Sequence, residues 1–422
     1  MGEWKDLSRD ELLGLRAECA AGYGRLKAMG LKLDMSRGKP SPDIIDLSNG
    51  LLEAPIPYVT EDGTDARNYG VPTGIAEFRR LFGELLGLEP DSIIVGNNAS
   101  LELMHDFYSR LYLFGTLGCK PWCRLEKVRF LCPSPGYDRH FAISQAFGTE
   151  MTAIPMTEDG PDMDAVEEAA GSDEAVKGIW CVPLYSNPQG AVYSDETVRR
   201  LASMKTAAPD FRIFWDNAYG VHHVFGEHRL ADIFRLAREH GNEDRVYYFF
   251  STSKLSFPGG GVGMAAASPA NIAEQRRHIS VQTIGYDKLS QLRAARFLKS
   301  PENIRAHMRE IGAMLRPKFE TVMETLEREL GGTGLVSWTR PKGGYFLAVD
   351  TLEGCAGAVV ALAKEAGTTL TPAGATFPYG KDPKDTNIRI APTYPELGEL
   401  RSAMELFCLC VKLVSADRLL AR

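Results

Sequence analysis

No apolar run in the 422-residue sequence approaches the roughly 20 residues that a membrane-spanning helix needs. There is no excess of positive charge either: 48 Lys and Arg face 55 Asp and Glu, a net charge of −7. Such a surface argues against a nucleic-acid partner and offers nothing to anionic lipid. No internal repeat and no low-complexity segment occurs, which excludes solenoids and tethers. Paired CxxC ligand sets are missing, so no metal site is expected. The eight cysteines mostly sit inside apolar stretches such as VRFLCP and GIWCVP, as buried thiols of a reducing compartment do. The N-terminus, MGEWKDLSRDELLGL, has no signal-peptide pattern, and the expected location is cytoplasmic.

What is present is enough chain for two or three folding units, with 44% hydrophobic residues. Ser8 and Glu11 form a capping-box pattern ahead of a first helix. From about Tyr69 to Phe297, short apolar runs (SIIVG, KVRFLCP, KGIWCVP, FRIFWD, RVYYFFS) alternate with helical stretches. That alternation predicts an α/β fold built on a mainly parallel sheet. A long helix is expected from about Pro301 to Leu330, with Ile304, Met308, Ile311, Leu315 and Phe319 at helical spacing. GGYFLAVD and NIRIAP then read as strands of a smaller α+β domain. The expected boundaries are 1–48 for the N-terminal part of the small domain, 49–300 for the large domain and 301–422 for the C-terminal small domain.

Three predicted strand ends carry chemistry. Asn187 follows GIWCVPL, Asp216 and Tyr219 follow FRIFW, and Lys254 follows RVYYFF on a turn that leads into FPGGGVG. Ligands of open α/β sheets gather at the carboxyl ends of strands. A partly desolvated lysine there loses its proton more readily and becomes a nucleophile suited to a Schiff base. A carboxylate that keeps a pyridine nitrogen protonated, donors for a phenolic oxygen, and a lysine for an aldehyde are the set that pyridoxal 5'-phosphate requires. Taken singly, Asn187 reads as a turn residue, Asp216 as a helix cap, Tyr219 as core and Lys254 as a solvated charge. Their joint occurrence points to the cofactor.

With these residues in place, the sequence resembles the fold-type I PLP-dependent aminotransferases of class I over nearly its whole length. The resemblance implies a large domain with a seven-stranded, mainly parallel sheet between helices, plus the smaller domain. Tyr69, in NYGVPTG, is similar to the tyrosine that reaches the cofactor phosphate of a neighbouring subunit, which implies a homodimer with shared active sites. Asn98, Ala99 and Ser100 resemble the phosphate loop ahead of a helix. Tyr137 matches the aromatic residue that stacks on the pyridine, and His140 the histidine behind the aspartate. Ser251 and Ser253 are implied in phosphate binding. Arg389 matches the arginine that grips the substrate α-carboxylate, joined in substrate binding by Asn187 and Gly38. In one stretch the pattern departs: the usual Gly-x-Arg-x-Gly is Gly259-Gly260-Gly261-Val262-Gly263, without its arginine. The segments SRGKPSP, STSKLSFPGGGVG and HMREIGAMLRPKFE resemble a subgroup of aspartate aminotransferases that lies near the aminotransferase domains of MocR-type regulators.

The implied activity is ping-pong transfer of an amino group between an amino acid and a 2-oxo acid through Lys254, with aspartate and 2-oxoglutarate as the favoured pair. A dicarboxylic substrate needs a second cation, for which Arg37, Lys39, Arg139, Lys288 and Arg293 are candidates. Alanine, aromatic or aminoadipate/kynurenine specificity remains open from the residues alone, as do other PLP reactions. A regulator-like, PLP-binding domain is the reading from another class. Only about 36 residues precede Arg37, too few for a winged helix and linker.

Overall fold

The computed structural model describes residues 3–53 and 58–421. Its centre is an eight-stranded sheet. In spatial order the strands are Ile93–Val95, Gly263–Ala267, Val246–Ser251, Arg212–Asp216, Val176–Cys181, Arg129–Ser134, Glu150–Thr157 and Gly160–Pro161. The five strands from Val246–Ser251 to Glu150–Thr157 run parallel. Gly263–Ala267 is antiparallel to both of its neighbours. All five runs read as buried strands are strands. The central ones are buried along their entire length, as parallel strands covered by helices on both faces must be.

Two departures have local causes. The sheet has eight strands and not seven, because a tight hairpin at Glu158–Asp159 folds Gly160–Pro161 back onto Glu150–Thr157, with Gly160 at φ +121°. Gly263–Ala267 reads GMAAA, a composition that prefers helix. It is a strand because it pairs on both sides, with Ile93–Val95 and Val246–Ser251, and at Gly263 a Cβ would meet the Ala99 backbone at 2.7 Å.

The remaining strands are outside this sheet. Val336–Trp338, Leu347–Thr351 and Asn387–Ile390 form an antiparallel sheet that pairs Ala348 with Arg389. The helix Pro301–Leu330 spans 30 residues and buries the expected Ile304, Met308, Ile311, Leu315 and Phe319. The first helix, Arg9–Ala28, starts at the capping box: Ser8 N–H donates to Glu11 Oε2 at 2.8 Å, and Glu11 N–H donates to Ser8 Oγ at 3.4 Å. A cap of this kind contributes about 1 kcal/mol. The helix packs along the C-terminal helix Leu397–Leu420, so the two ends of the chain lie together. Six cysteines are buried, Cys119 is partly exposed and Cys123 exposed, and no disulfide joins any of them. Among the described residues no helix is long and apolar enough to cross a membrane, and no cluster of His, Cys, Asp and Glu could hold a metal ion.

Candidate active site

The parallel strands end together, and their last residues converge on one cleft. Asp216 closes the strand Arg212–Asp216 and is 3% exposed. Its Oδ2 lies 3.0 Å from His140 Nε2, while its Oδ1 is buried without any hydrogen-bond partner. An unpaired buried carboxylate oxygen costs several times what an ordinary hydrogen bond contributes. A site that keeps one is built to receive a donor. His140 is fixed by stacking on Trp180, with ring centroids 4.5 Å apart and planes within 11°. Tyr137 meets the same histidine edge-on at 4.9 Å. Trp180 therefore holds His140, and His140 holds Asp216.

Lys254 ends the short turn Thr252–Lys254 directly after the strand Val246–Ser251. Its Nζ lies 5.0 Å from the centre of the Tyr219 ring and 6.0 Å from that of Tyr345. Burial pulls the amine below its ordinary pKa, and the charge of Asp216 opposes that shift. Behind it, His222 Nε2 lies 3.3 Å from the Lys254 carbonyl. Burial holds His222 down to a pKa of about 3, so its ring stays neutral. Tyr219 is buried and stacks with Tyr345, and burial raises its phenol far above the usual range.

Asn98, Ala99 and Ser100 lie where the strand Ile93–Val95 turns into the helix Ser100–Phe114. That helix has no side-chain cap at Ala99, which leaves its first amides unpaired and suited to an anion. Ser251 Oγ donates to Ser253 Oγ at 3.2 Å, and Ser253 Oγ donates to the Asn98 carbonyl at 3.1 Å. The glycine run explains the missing arginine. A Cβ at Gly261 would stand 2.8 Å from both the Asn98 carbonyl and Ser253 Oγ, and one at Gly263 would stand 2.7 Å from the Ala99 backbone. Side chains at these two positions are excluded by the approach of the loop.

At the other end of the cleft Arg389 is 7% exposed, and four of its five N–H groups have acceptors. Its Nε donates to Thr371 Oγ1 at 3.1 Å, and its Nη1 to Asn187 Oδ1 at 3.2 Å and Asp138 Oδ1 at 3.0 Å. Its Nη2 donates to the Ser36 carbonyl at 3.4 Å. The guanidinium rests 5.0 Å from the centre of the Phe346 ring. Gly38 sits against that ring, and a Cβ there would collide with it.

Tyr69 is the one candidate that stands apart: it is 79% exposed and faces away from its own chain. Among the distal cations, Lys39 lies 3.8 Å above the Tyr394 ring, and Lys288 Nζ donates to the Gly70 carbonyl at 3.1 Å. Arg139 is exposed, 3.9 Å from Asp138 Oδ2, and Arg293 Nε is buried without a partner. Arg37 is exposed, next to the Ser36 carbonyl that Arg389 grips. Sequence reasoning missed Asp138, Trp180 and His222. Asp138 had a signal, since it stands beside Tyr137; the other two are aromatic residues in buried runs, indistinguishable from packing.

A family model described as aspartate amino-transferase matches residues 7–422. A relative from Mycolicibacterium smegmatis is 48% identical over 99% of this chain and 99% of its own. The aspartate aminotransferase of Corynebacterium glutamicum is 43% identical over 94% of this chain and 92% of its own. The crystal structure of an aspartate transaminase from Corynebacterium glutamicum superposes with a TM-score of 0.96 at 42% identity, covering 98% of this chain and 99% of that one.

Proposed function

Because this chain belongs to the aspartate amino-transferase family, we propose that it exchanges the amino group of aspartate with 2-oxoglutarate, as a homodimer. The family's cofactor, pyridoxal phosphate, supplies an aldehyde and a protonated ring that accepts electrons when bound. The observation that carries the reading is the buried, unpartnered Oδ1 of Asp216 in the same cleft as the depressed Lys254 amine.

Asp216 Oδ1 would keep the ring nitrogen protonated, while His140 anchors Oδ2. Tyr137 would cover the ring. Asn187, whose Oδ1 is engaged by Arg389, would offer its Nδ2 to the phenolic oxygen, and Tyr219 its hydroxyl. The amides of Ala99 and Ser100, with the loop of Asn98 and the hydroxyls of Ser251 and Ser253, hold the phosphate. Lys254 Nζ, buried beside Tyr219 and lowered in pKa, would hold the aldehyde of the cofactor, and its amine would move a proton at the substrate Cα. Arg389 clamps the α-carboxylate with two parallel N–H groups, and the loop around Gly38 closes over it. Arg37, carried by the same loop, is the cation for the second carboxylate.

Tyr69 supports the dimer. Its neighbourhood exposes Val281 at 90% and Ile284 at 64%, while Gly285 and Lys288 brace the backbone at Gly70 from behind. A braced apolar patch with an outward tyrosine suits a partner subunit. The buried thiols without a disulfide support a reducing, cytoplasmic setting. Comparing kcat/KM for aspartate, alanine and phenylalanine with 2-oxoglutarate tests the specificity, and aspartate is expected to lead by about tenfold or more. A lead for alanine or phenylalanine would overturn it. Borohydride treatment of the holoenzyme should place the label on the peptide that contains Lys254.

A further inference from the structure

Successive side chains along a strand point to opposite faces of its sheet. The strand Arg212–Asp216 carries that alternation into the turn that follows it. Asp216 faces His140, whereas Trp215 and Asn217 face the other way and wall a second cavity of about 740 Å³. The cavity lies between the turn after Asp216, the segment 226–234, the end of the helix Ala76–Leu86 and one side of the helix Pro301–Leu330. Lys254, Asp216, Tyr137, Asn187 and Arg389 do not line it.

Its interior is mostly apolar, with Leu88, Trp215, Val221, Phe234 and Met308 on its walls, interrupted by His223, His228 and Asp232, whose carboxylate accepts from the Arg235 N–H. Its rim is cationic. Arg305, Arg309 and Arg316 project from one side of the long helix. Arg305 has Glu302 at 3.8 Å, but among the described residues neither Arg309 nor Arg316 has a carboxylate partner. Arg316 Nη2 donates to the Val224 carbonyl at 2.6 Å. Opposite, Glu227 is neutralised by Arg229. Asn217, 6% exposed, pairs its Nδ2 with Tyr248 Oη at 2.6 Å, and the other end of its amide has no partner. An apolar chamber with a cationic mouth selects for the charge and shape of its occupant, and its volume is in the range of small-molecule sites.

We infer that this cavity is a second binding site, for a small carboxylate with an apolar body. The carboxylate meets Arg309 and Arg316, and the body replaces water along Trp215 and Met308. The site shares a wall with the reaction centre. In the turn after Asp216, Tyr219 and His222 face Lys254, while Asn217, Val221 and His223 face the cavity. An occupant that orders this turn is therefore coupled to the affinity of the cofactor site, and the coupling is reciprocal.

The test is calorimetric titration of the holoenzyme with 3-(4-hydroxyphenyl)propionate, a small carboxylate on an apolar ring. Ala313, exposed on the cavity side of the long helix, is changed to tryptophan to fill the chamber, and Arg309 to glutamate to reverse the rim charge. Both Ala313→Trp and Arg309→Glu should weaken binding by about tenfold or more. Basal kcat/KM should be unchanged in both, and Arg389→Ala should still bind. No binding to the unaltered enzyme, or binding that survives both cavity changes and disappears in Arg389→Ala, would overturn the inference. Neither result bears on the aminotransferase reading, because the readout is heat of binding and not turnover.

Discussion

The two ends of the active-site cleft meet their charges in opposite ways. At the sheet end, Asp216 gives one oxygen to His140 and leaves the other without a donor. At the small-sheet end, Arg389 already serves Thr371, Asn187, Asp138 and Ser36. The first end gains hydrogen bonds when its ligand arrives. The second must surrender one, because Asp138 holds the guanidinium as a substrate carboxylate would. On the proposed function, cofactor affinity would come from an unmet acceptor at a strand end, and substrate affinity from an exchange of carboxylates.

Replacing Lys254 by alanine should break the sheet end outright. A loss in kcat of about 10⁴-fold or more is expected, since one side chain supplies both the nucleophile and the proton carrier. Steady-state assay and the absence of borohydride label check it, and near-normal turnover would remove the reaction from this end altogether. Arg389→Lys keeps the charge but loses the planar fork, so KM for the amino acid should rise about 10- to 100-fold. Asp138→Asn sharpens the contrast, because it removes the competing carboxylate and keeps the shape. The dissociation constant of maleate, followed by absorbance, should fall about three- to tenfold, with little change in Tm. Weaker maleate binding in that variant would mean that Asp138 supports the arginine and does not compete for it.

The smallest effect concerns pH. In the cofactor-free protein burial depresses the Lys254 pKa below the 10.5 of an unfolded lysine. Between those two values the unfolded chain binds the extra proton, so stability rises with pH there and is lost as pH falls through the folded value. The stability advantage of Lys254→Met over the unaltered chain, read from urea midpoints, should therefore shrink between neutral pH and 10.5.

Much of this was legible in the sequence for physical reasons. The parallel strands are continuous apolar runs because helices cover both faces, and strand ends that carry Asn, Asp, Tyr and Lys advertise a ligand at the edge of the sheet. The long helix and the capping box at Ser8 announce themselves through spacing alone. What escaped depends on distance in the chain. The grip of Asp138 on Arg389 joins residues 251 positions apart: the place beside Tyr137 hints at the site but not at this partner. The strand Gly263–Ala267 hides because its alanines favour helix, and its place is set by pairing with two strands distant in the chain. The second cavity is invisible for a similar reason: its arginines read as the ordinary solvated side of a helix.

The close approach of Gly261 and Gly263 to the loop at Asn98–Ser100 has a consequence for anyone redesigning the protein. Introducing the arginine of the Gly-x-Arg-x-Gly pattern at Gly261 cannot be a single replacement. A side chain at Gly261 would act as a wedge between the lysine turn and the helix that receives the phosphate, and the gained charge would come with a displaced anion cradle. The cradle and the bare backbone form one unit, to be inherited or exchanged together.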